Sequence, residues 1–396
     1  MISSERPLKV LHVAINLDRR RGGAVQAMMT VCRGLHEQGV QVEVAAPYRP
    51  KDRELSLTLD YPEIPHHLFP SSFPGRFNNS SGLRHWLTRH VNDYDFVEIH
   101  EVFAFPPVIA GQVCRVASVP YLLNPHGSLM RVTLQNQGFL KRIIRGPMLR
   151  PLIEGAAVLK MATTMEVTQS DTFGQRVKTV VSPLPVEPVP GGDRKRFRRK
   201  HGIPDDATVF LCVARLHPVK GLEMLIPALG MLKQEIPKLW FVLAGSGDKG
   251  YVAGLRSLLT AHGLAERSVL PGFLSEQTKG DAFAAADLYV QLSFQENYSI
   301  TVAEAASASL PVIVSDQIGL AQQVIAAGAG WVCQPTTESA LMALRNAWAN
   351  RFRWADMGKY GRNWFYGHLH TPKVIQELTS LYQTVTAISC HANLRS

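Results

Sequence analysis

The sequence predicts an α/β fold of two Rossmann-like domains with a crevice between them. Three observations predict it. Short β-branched runs, turns bearing Gly or Pro and amphipathic stretches follow one another repeatedly, the rhythm of a parallel sheet with crossover helices. The 396 residues are enough for two or three domains and more than one buried core. Between Val181 and Asp193 the chain reads VSPLPVEPVPGGD, too rich in Pro and Gly for regular structure, and a second α/β series starts near Thr208. These features place one domain over 1–183 and another over 184–370. The segment 371–396, with helical apolar spacing at Val374, Ile375, Leu378 and Leu381, stands apart from both.

Taken in order, β-branched runs mark strands at Leu8–Ile15, Val40–Ala45, Phe96–His100, Tyr121–Asn124, Val209–Val213, Leu239–Ala244, Leu288–Gln291 and Val312–Ser315. Amphipathic stretches between them mark helices at Ala24–Gln38, Gly221–Glu235, Val252–His262 and Ile300–Ser309. No repeat of 20–50 residues is visible, which leaves solenoids and propellers without support.

Composition excludes several classes. With 46% apolar and 19% charged residues, the chain reads as a globular protein and not as a disordered or membrane-spanning one. Its long apolar stretch Leu222–Leu232 is interrupted by Glu223 and Pro227 and falls short of the ~20 residues a spanning helix needs. The first residues lack the pattern of an export signal, so a cytoplasmic chain is expected. Cys32, Cys114, Cys212, Cys333 and Cys390 are scattered, with no C-x-x-C pair, and read as reduced thiols. The net charge of +10 is compatible with nucleic acid, an anionic membrane or a phosphorylated substrate, and does not choose between them.

Motifs narrow the choice. In Ser293–Asp316 a strand ends, the chain turns, a helix begins near Ser299, and a strand returns at Val312. Glu296 in the turn and Glu304 on the helix can both point beyond the carboxyl ends of the strands, where carboxylates suit a polyhydroxylated ligand. The backbone N–H groups of Tyr298, Ser299, Ile300 and Thr301 lie at a helix N-terminus, which favours a phosphate. Arg215 and Lys220 flank another strand-to-helix connection and could clamp a diphosphate. That turn, the Ala244–Asp248 turn and the Glu296 loop all follow strands of one domain, so all three face one edge. In the first domain, Gly22 and Gly23 let backbone approach a ligand, and His126 sits in a loop; alone, neither supports a claim. Asp93 and Asp95 have the spacing of a metal–diphosphate site but precede a strand, the wrong end of the sheet. The run Arg194–Lys200 reads as a solvated helix leading into the second domain, and nucleic acid is not expected as a partner.

Together these segments resemble glycosyltransferase family 4, the retaining sugar-nucleotide transferases of GT-B fold. The E-x7-E element stands here as Glu296 to Glu304, followed by LPVIVS. The family's G-R-L-x-x-x-K-G stands as Ala214-Arg-Leu-His-Pro-Val-Lys-Gly221, and Gly245-Ser-Gly247, Gly272-Phe-Leu274 and Ala285-Ala-Asp287 match its G-x-G turn, base-side loop and A-x-A-D. The resemblance implies that Arg215 and Lys220 hold the donor diphosphate, Glu296 the sugar hydroxyls and Glu304 the ribose. It implies that His126 lies near the transferred sugar, that Gly22 and Gly23 close on the phosphates, and that Phe273 and Leu274 flank the base. It further implies that no cofactor or metal is required and that the last helix returns to the first domain. Where the family commonly has Gly-Phe-Gly, this chain has Asn297-Tyr298-Ser299, and Asn297 is the residue expected to take left-handed backbone.

The reading is therefore a retaining transferase of polysaccharide or glycolipid biosynthesis, taking a nucleotide-sugar donor and a saccharide or lipid-linked saccharide acceptor. Alternatives are a GT-B epimerase of nucleotide sugars and a non-catalytic GT-B-like binding protein. Acceptor specificity is expected in the loops Tyr48–Asn79 and Met130–Pro151. In the second, Arg131, Lys141, Arg142, Arg145 and Arg150 suit a lipid diphosphate or the anionic inner face of the membrane.

Overall fold

The computed structural model describes residues 6–18, 23–49, 60–71, 78–135 and 139–393. The chain divides into two compact units, Met1–Pro185 with Thr371–Ser396, and Val186–His370. Each is built on a parallel sheet, as the alternation of apolar runs with helices requires.

In the first unit the strands are β1 (Lys9–Val13), β2 (Gln41–Tyr48), β3 (His66–Pro70), β4 (Phe96–His100), β5 (Tyr121–Asn124), β6 (Val158–Met161) and β7 (Thr179–Val181). They lie in the order β3-β2-β1-β4-β5-β6-β7. Successive residues point to opposite faces, and both faces are covered. Leu11, Val13, Val97, Ile99 and Leu123 pack into one core, Val10, Phe96, Leu122 and Val158 into the other. The second core is closed by the helix Gly23–Glu37 and by the final helix Thr371–Asn393, which buries Ile375, Leu378, Tyr382 and Val385 there. The fit is close: a Cβ on Gly34 would stand 2.6 Å from the Ile375 side chain.

In the second unit the strands are β8 (Thr208–Val213), β9 (Leu239–Ala244), β10 (Ser268–Gly272), β11 (Leu288–Gln291), β12 (Val312–Ser315) and β13 (Gly330–Cys333). Their order is β10-β9-β8-β11-β12-β13. The eight strands expected from β-branched runs are all present, with ends shifted by a few residues. Five others carry weaker patterns: β3 opens on two histidines, β6 contains Lys160, β7 is three residues long, β10 includes Pro271 and β13 starts at Gly330.

The basic run corrects the sequence reading. Arg194–Lys200 is a helix, but its inner face is not solvated. Arg198 is buried and donates to the carbonyls of Ala285, Pro204, Asp205 and Ala207 and to Asp287. Arg196 grips Asp281 through two bonds of 2.6 Å, and Arg194 reaches Asp287 at 2.9 Å. The run fastens this helix to the helix Glu276–Ala285 and to the start of β8, using charge where an apolar face would otherwise serve.

Candidate active site

The strand order of the second unit reverses between β8 and β11. Ligands of open parallel sheets bind beyond the carboxyl ends of the strands at such a switch point. The loop after β8 carries Arg215 and Lys220, that after β9 carries Gly245 and Gly247, that after β10 carries Phe273 and Leu274, and that after β11 carries Glu296. Backbone bonds tie these loops into one edge. Leu216 N–H donates to Ser246 O at 2.8 Å, Gly245 N–H to Gly272 O at 2.8 Å, and Phe294 N–H to Val219 O at 2.8 Å. Gly221, with φ +64°, ends the Lys220 turn, and a side chain there would strike the Leu292 carbonyl.

Lys220 donates to the Glu296 carboxylate, both side chains being only partly exposed. Backbone bonds from Glu296 N–H to Gln317 O, 3.0 Å, and from Gly319 N–H to Glu296 O, 2.8 Å, hold the loop. Arg215 is exposed, with no ion-pair partner among the described residues. Glu304 is buried in the helix Ile300–Ser307 and accepts from Lys279 at 2.5 Å. Burial pushes its carboxyl above the usual range, against the pull of Lys279. Both carboxylates thus have lysine partners that a ligand would have to share.

The turn between Glu296 and this helix is organised by Gln291, which the sequence reading passed over. Its buried Oε1 accepts from Tyr289 OH, Ser299 Oγ and Thr301 Oγ1 at 3.0, 2.9 and 3.0 Å. The left-handed residue is Ser299, with φ +74°, and not Asn297. The last position of the triplet demands positive φ, so Ser299 occupies the strained site while its hydroxyl caps the helix by accepting from Val302 N–H. Tyr298 is buried, and Ile300 begins the helix. Beside this edge a cavity of about 440 Å³ is lined by Arg196, Lys200, His201, Phe273, Leu274 and Gln277, with Phe273 80% exposed.

In the first unit, Gly23 starts the helix Gly23–Glu37, and Gly22 lies outside the described residues. His126 follows β5 with φ +52°. Its loop is held by the buried Glu166, which accepts from Gly127 N–H at 2.5 Å and Ala162 N–H at 2.7 Å. His126 Nε2 lies 3.0 Å from His100 Nδ1, and His100 Nε2 lies 3.0 Å from His12 Nδ1. Beneath them Glu98 pairs with Lys160 at 2.8 Å and accepts from Tyr382 OH. Burial opposes the Glu98 charge, yet Lys160, His100 and His12 hold its carboxyl well below the usual range. Burial lowers His12 to about 4, His126 to about 4, and His100 well below its ordinary value. His12, Glu98, His100 and Lys160 were missed from sequence. The available signal was polar residues at alternate positions of otherwise apolar strands, all on one face.

Arg131 and Arg150 are exposed; the side chains of Lys141, Arg142 and Arg145, and parts of the loop Tyr48–Asn79, lie outside the described residues. No helix among the described residues is long and apolar enough to cross a membrane.

Comparison with known proteins bears on the family and the fold. The family described as Glycosyl transferases group 1 matches residues 193–364, and that described as Glycosyltransferase Family 4 matches 21–158. An uncharacterized glycosyltransferase of Methanocaldococcus jannaschii is 37% identical over 130 residues, 32% of each chain. A GDP-mannose-dependent phosphatidylinositol monomannoside mannosyltransferase of Mycolicibacterium smegmatis is 28% identical over 179 residues, 43% of this chain and 46% of the relative. The chain thus spans less than half the length of these curated relatives. Among solved structures, sucrose-phosphate synthase from Thermosynechococcus elongatus matches with a TM-score of 0.76 and 18% identity, over 96% of this chain and 100% of that one. HepE from Anabaena, in complex with UDP-glucose, matches with a TM-score of 0.75 and 18% identity, over 95% and 100%. At these identities the likeness shows the fold, which is GT-B.

Proposed function

We propose, from the premise that the chain belongs to glycosyltransferase family 4, that it transfers a glycosyl group from a nucleoside diphosphate sugar to an acceptor hydroxyl with retention of anomeric configuration. The observation that carries this reading is the gathering of Arg215, Lys220, Glu296 and the Gly245–Gly247 turn on one sheet edge, at the switch point of the second unit. Arg215 and Lys220 meet the diphosphate and neutralise the charge that grows on it as the glycosidic bond breaks. These two cations supply the positive charge, so neither a divalent metal nor another cofactor is assigned. Glu296 orients the sugar hydroxyls, the backbone of Asn297 to Ile300 faces the phosphates, and Glu304 takes the ribose.

The base is assigned to the side of Phe273 and Leu274, whose exposed ring offers a stacking face. UDP-glucose, which HepE binds, is the first donor to test. Gly22, Gly23 and His126 of the first unit are assigned to the donor phosphates and the transferred sugar. The acceptor is a saccharide or lipid-linked saccharide in polysaccharide or glycolipid synthesis. The exposed Arg131 and Arg150 suit contact with an anionic membrane face from the cytoplasmic side.

A thermal-shift screen over nucleotides and nucleotide sugars identifies the donor, because a ligand selective for the folded state raises Tm. Arg215→Ala should then lower turnover of that donor, followed as transfer or slow hydrolysis, by about 10²–10³-fold. Full turnover in Arg215→Ala, or no stabilising nucleotide at all, removes the assignment.

A further inference from the structure

Three imidazoles stand in line in the first unit, from the fully buried His12 through the nearly buried His100 to the half-buried His126. Because burial lowers the proton affinity of all three, each is neutral near pH 7 and carries one N–H and one bare nitrogen. Two contacts of 3.0 Å link them, so the direction of one bond dictates the other. Only two arrangements exist. In one, His126 Nε2–H donates to His100 Nδ1, His100 Nε2–H donates to His12 Nδ1, and His12 keeps its remaining proton-bearing role nowhere but on Nε2. His12 Nε2 is buried with no hydrogen-bond partner among the described residues, so this arrangement strands an N–H in the core, a rarer state than an unfilled acceptor.

The opposing influence is Glu98 Oε1, 3.7 Å from His100 Nε2, which would favour a proton on that nitrogen. That distance is beyond hydrogen-bond reach. The carboxylate is already engaged by Lys160 at 2.8 Å, by Asn124 at 3.3 Å and by Tyr382 OH. His12, Glu98 and His100 also bring three ligand atoms within 4.8 Å of one another. A metal bound to Glu98 Oε1 would sit against the Lys160 ammonium, which donates to that same oxygen at 2.8 Å.

We propose that His12 Nδ1–H donates to His100 Nε2 and His100 Nδ1–H donates to His126 Nε2, so that His126 carries its proton on Nδ1 and meets a ligand as a hydrogen-bond donor. His12 and His100 are positioning residues that set this tautomer. A donor at Nδ1 recognises a hydroxyl or phosphate oxygen and cannot abstract a proton. The functional consequence rests on the assignment of His126 to the sugar; the tautomer does not.

Long-range proton–nitrogen NMR of the full chain labelled with nitrogen-15 in histidine tests it, the His126 signals being identified among the 14 histidines by their loss in His126→Gln. The expected wild-type spectrum at neutral pH has Nδ1 protonated and Nε2 bare. His100→Leu should convert this to a tautomer mixture. His100→Asn, whose amide still donates from nearly the same place, should restore the Nδ1–H form. A wild-type proton on Nε2, an unchanged spectrum in folded His100→Leu, or stoichiometric bound zinc overturns the proposal. If His100→Leu does not fold, the wild-type and His100→Asn spectra decide it. A chain without transferase activity leaves this result standing, and a wrong tautomer leaves the transferase reading standing.

Discussion

A lysine faces a glutamate in both units, in two different surroundings. Lys160 and Glu98 lie 2.8 Å apart with side chains 5% and 0% exposed. Lys220 and Glu296 pair with side chains 14% and 25% exposed, in loops at the open end of a sheet. The buried pair is fully engaged, since Glu98 Oε1 accepts from Asn124 as well as from Lys160 and its Oε2 accepts from Tyr382 OH. The loop pair can release either member to a ligand anion or hydroxyl while water covers the other. One arrangement fixes a core and the other leaves charge available, although the residue types are the same.

Removing the lysine separates them. Lys160→Met should leave Glu98 charged, buried and unpaired, and cost about 3–5 kcal/mol of folding stability. Lys220→Met should change the urea midpoint little, because partly solvated pairs contribute about 0–1 kcal/mol, while lowering donor turnover. Equal midpoints for the two variants would erase the distinction.

A comparable effect comes from pH. His12 titrates near 4 in the folded chain, below its ordinary 6.5. The unfolded chain therefore binds the extra proton between those values, and the folded state does not. Stability is complete above about pH 6.5 and falls as the pH drops toward 4, by about 1.4 kcal/mol per pH unit for each such histidine. Urea titrations at intervals across that window should show the decline, and His12→Gln should make it shallower. The same slope in wild type and His12→Gln would mean that the buried line of histidines does not set the acid response.

Most of the frame was legible in the sequence because parallel strands covered on both faces read as apolar runs between turns. The expected strands Phe96–His100, Tyr121–Asn124, Leu239–Ala244, Leu288–Gln291 and Val312–Ser315 coincide with β4, β5, β9, β11 and β12. Strands at sheet edges, such as β3, β7, β10 and β13, have less apolar surface to bury and gave weaker signals. In the candidate site, Arg215, Lys220 and Glu296 could be placed because each follows a strand. The pairing of Glu304 with Lys279 could not, since it joins two helices separated in sequence. Gln291 and Glu166 act by holding backbone and loops, and a single polar residue in an apolar strand or short helix carries no sign of that role.

Ser299 offers the finest contrast, because one residue there carries both strain and compensation. Its φ of +74° costs a side chain roughly 1–2 kcal/mol. Its hydroxyl donates to Gln291 and accepts from Val302 N–H, bonds worth about 1 kcal/mol each. Ser299→Gly removes the strain with the bonds, so the two changes nearly cancel, leaving stability within about 1 kcal/mol of wild type. Ser299→Ala removes the bonds and keeps the strain, and should be the less stable variant by about 1 kcal/mol relative to glycine. The order of urea midpoints, with alanine lowest, checks this. Alanine above glycine would mean that the left-handed backbone carries no strain, and that serine stands there only for its hydroxyl.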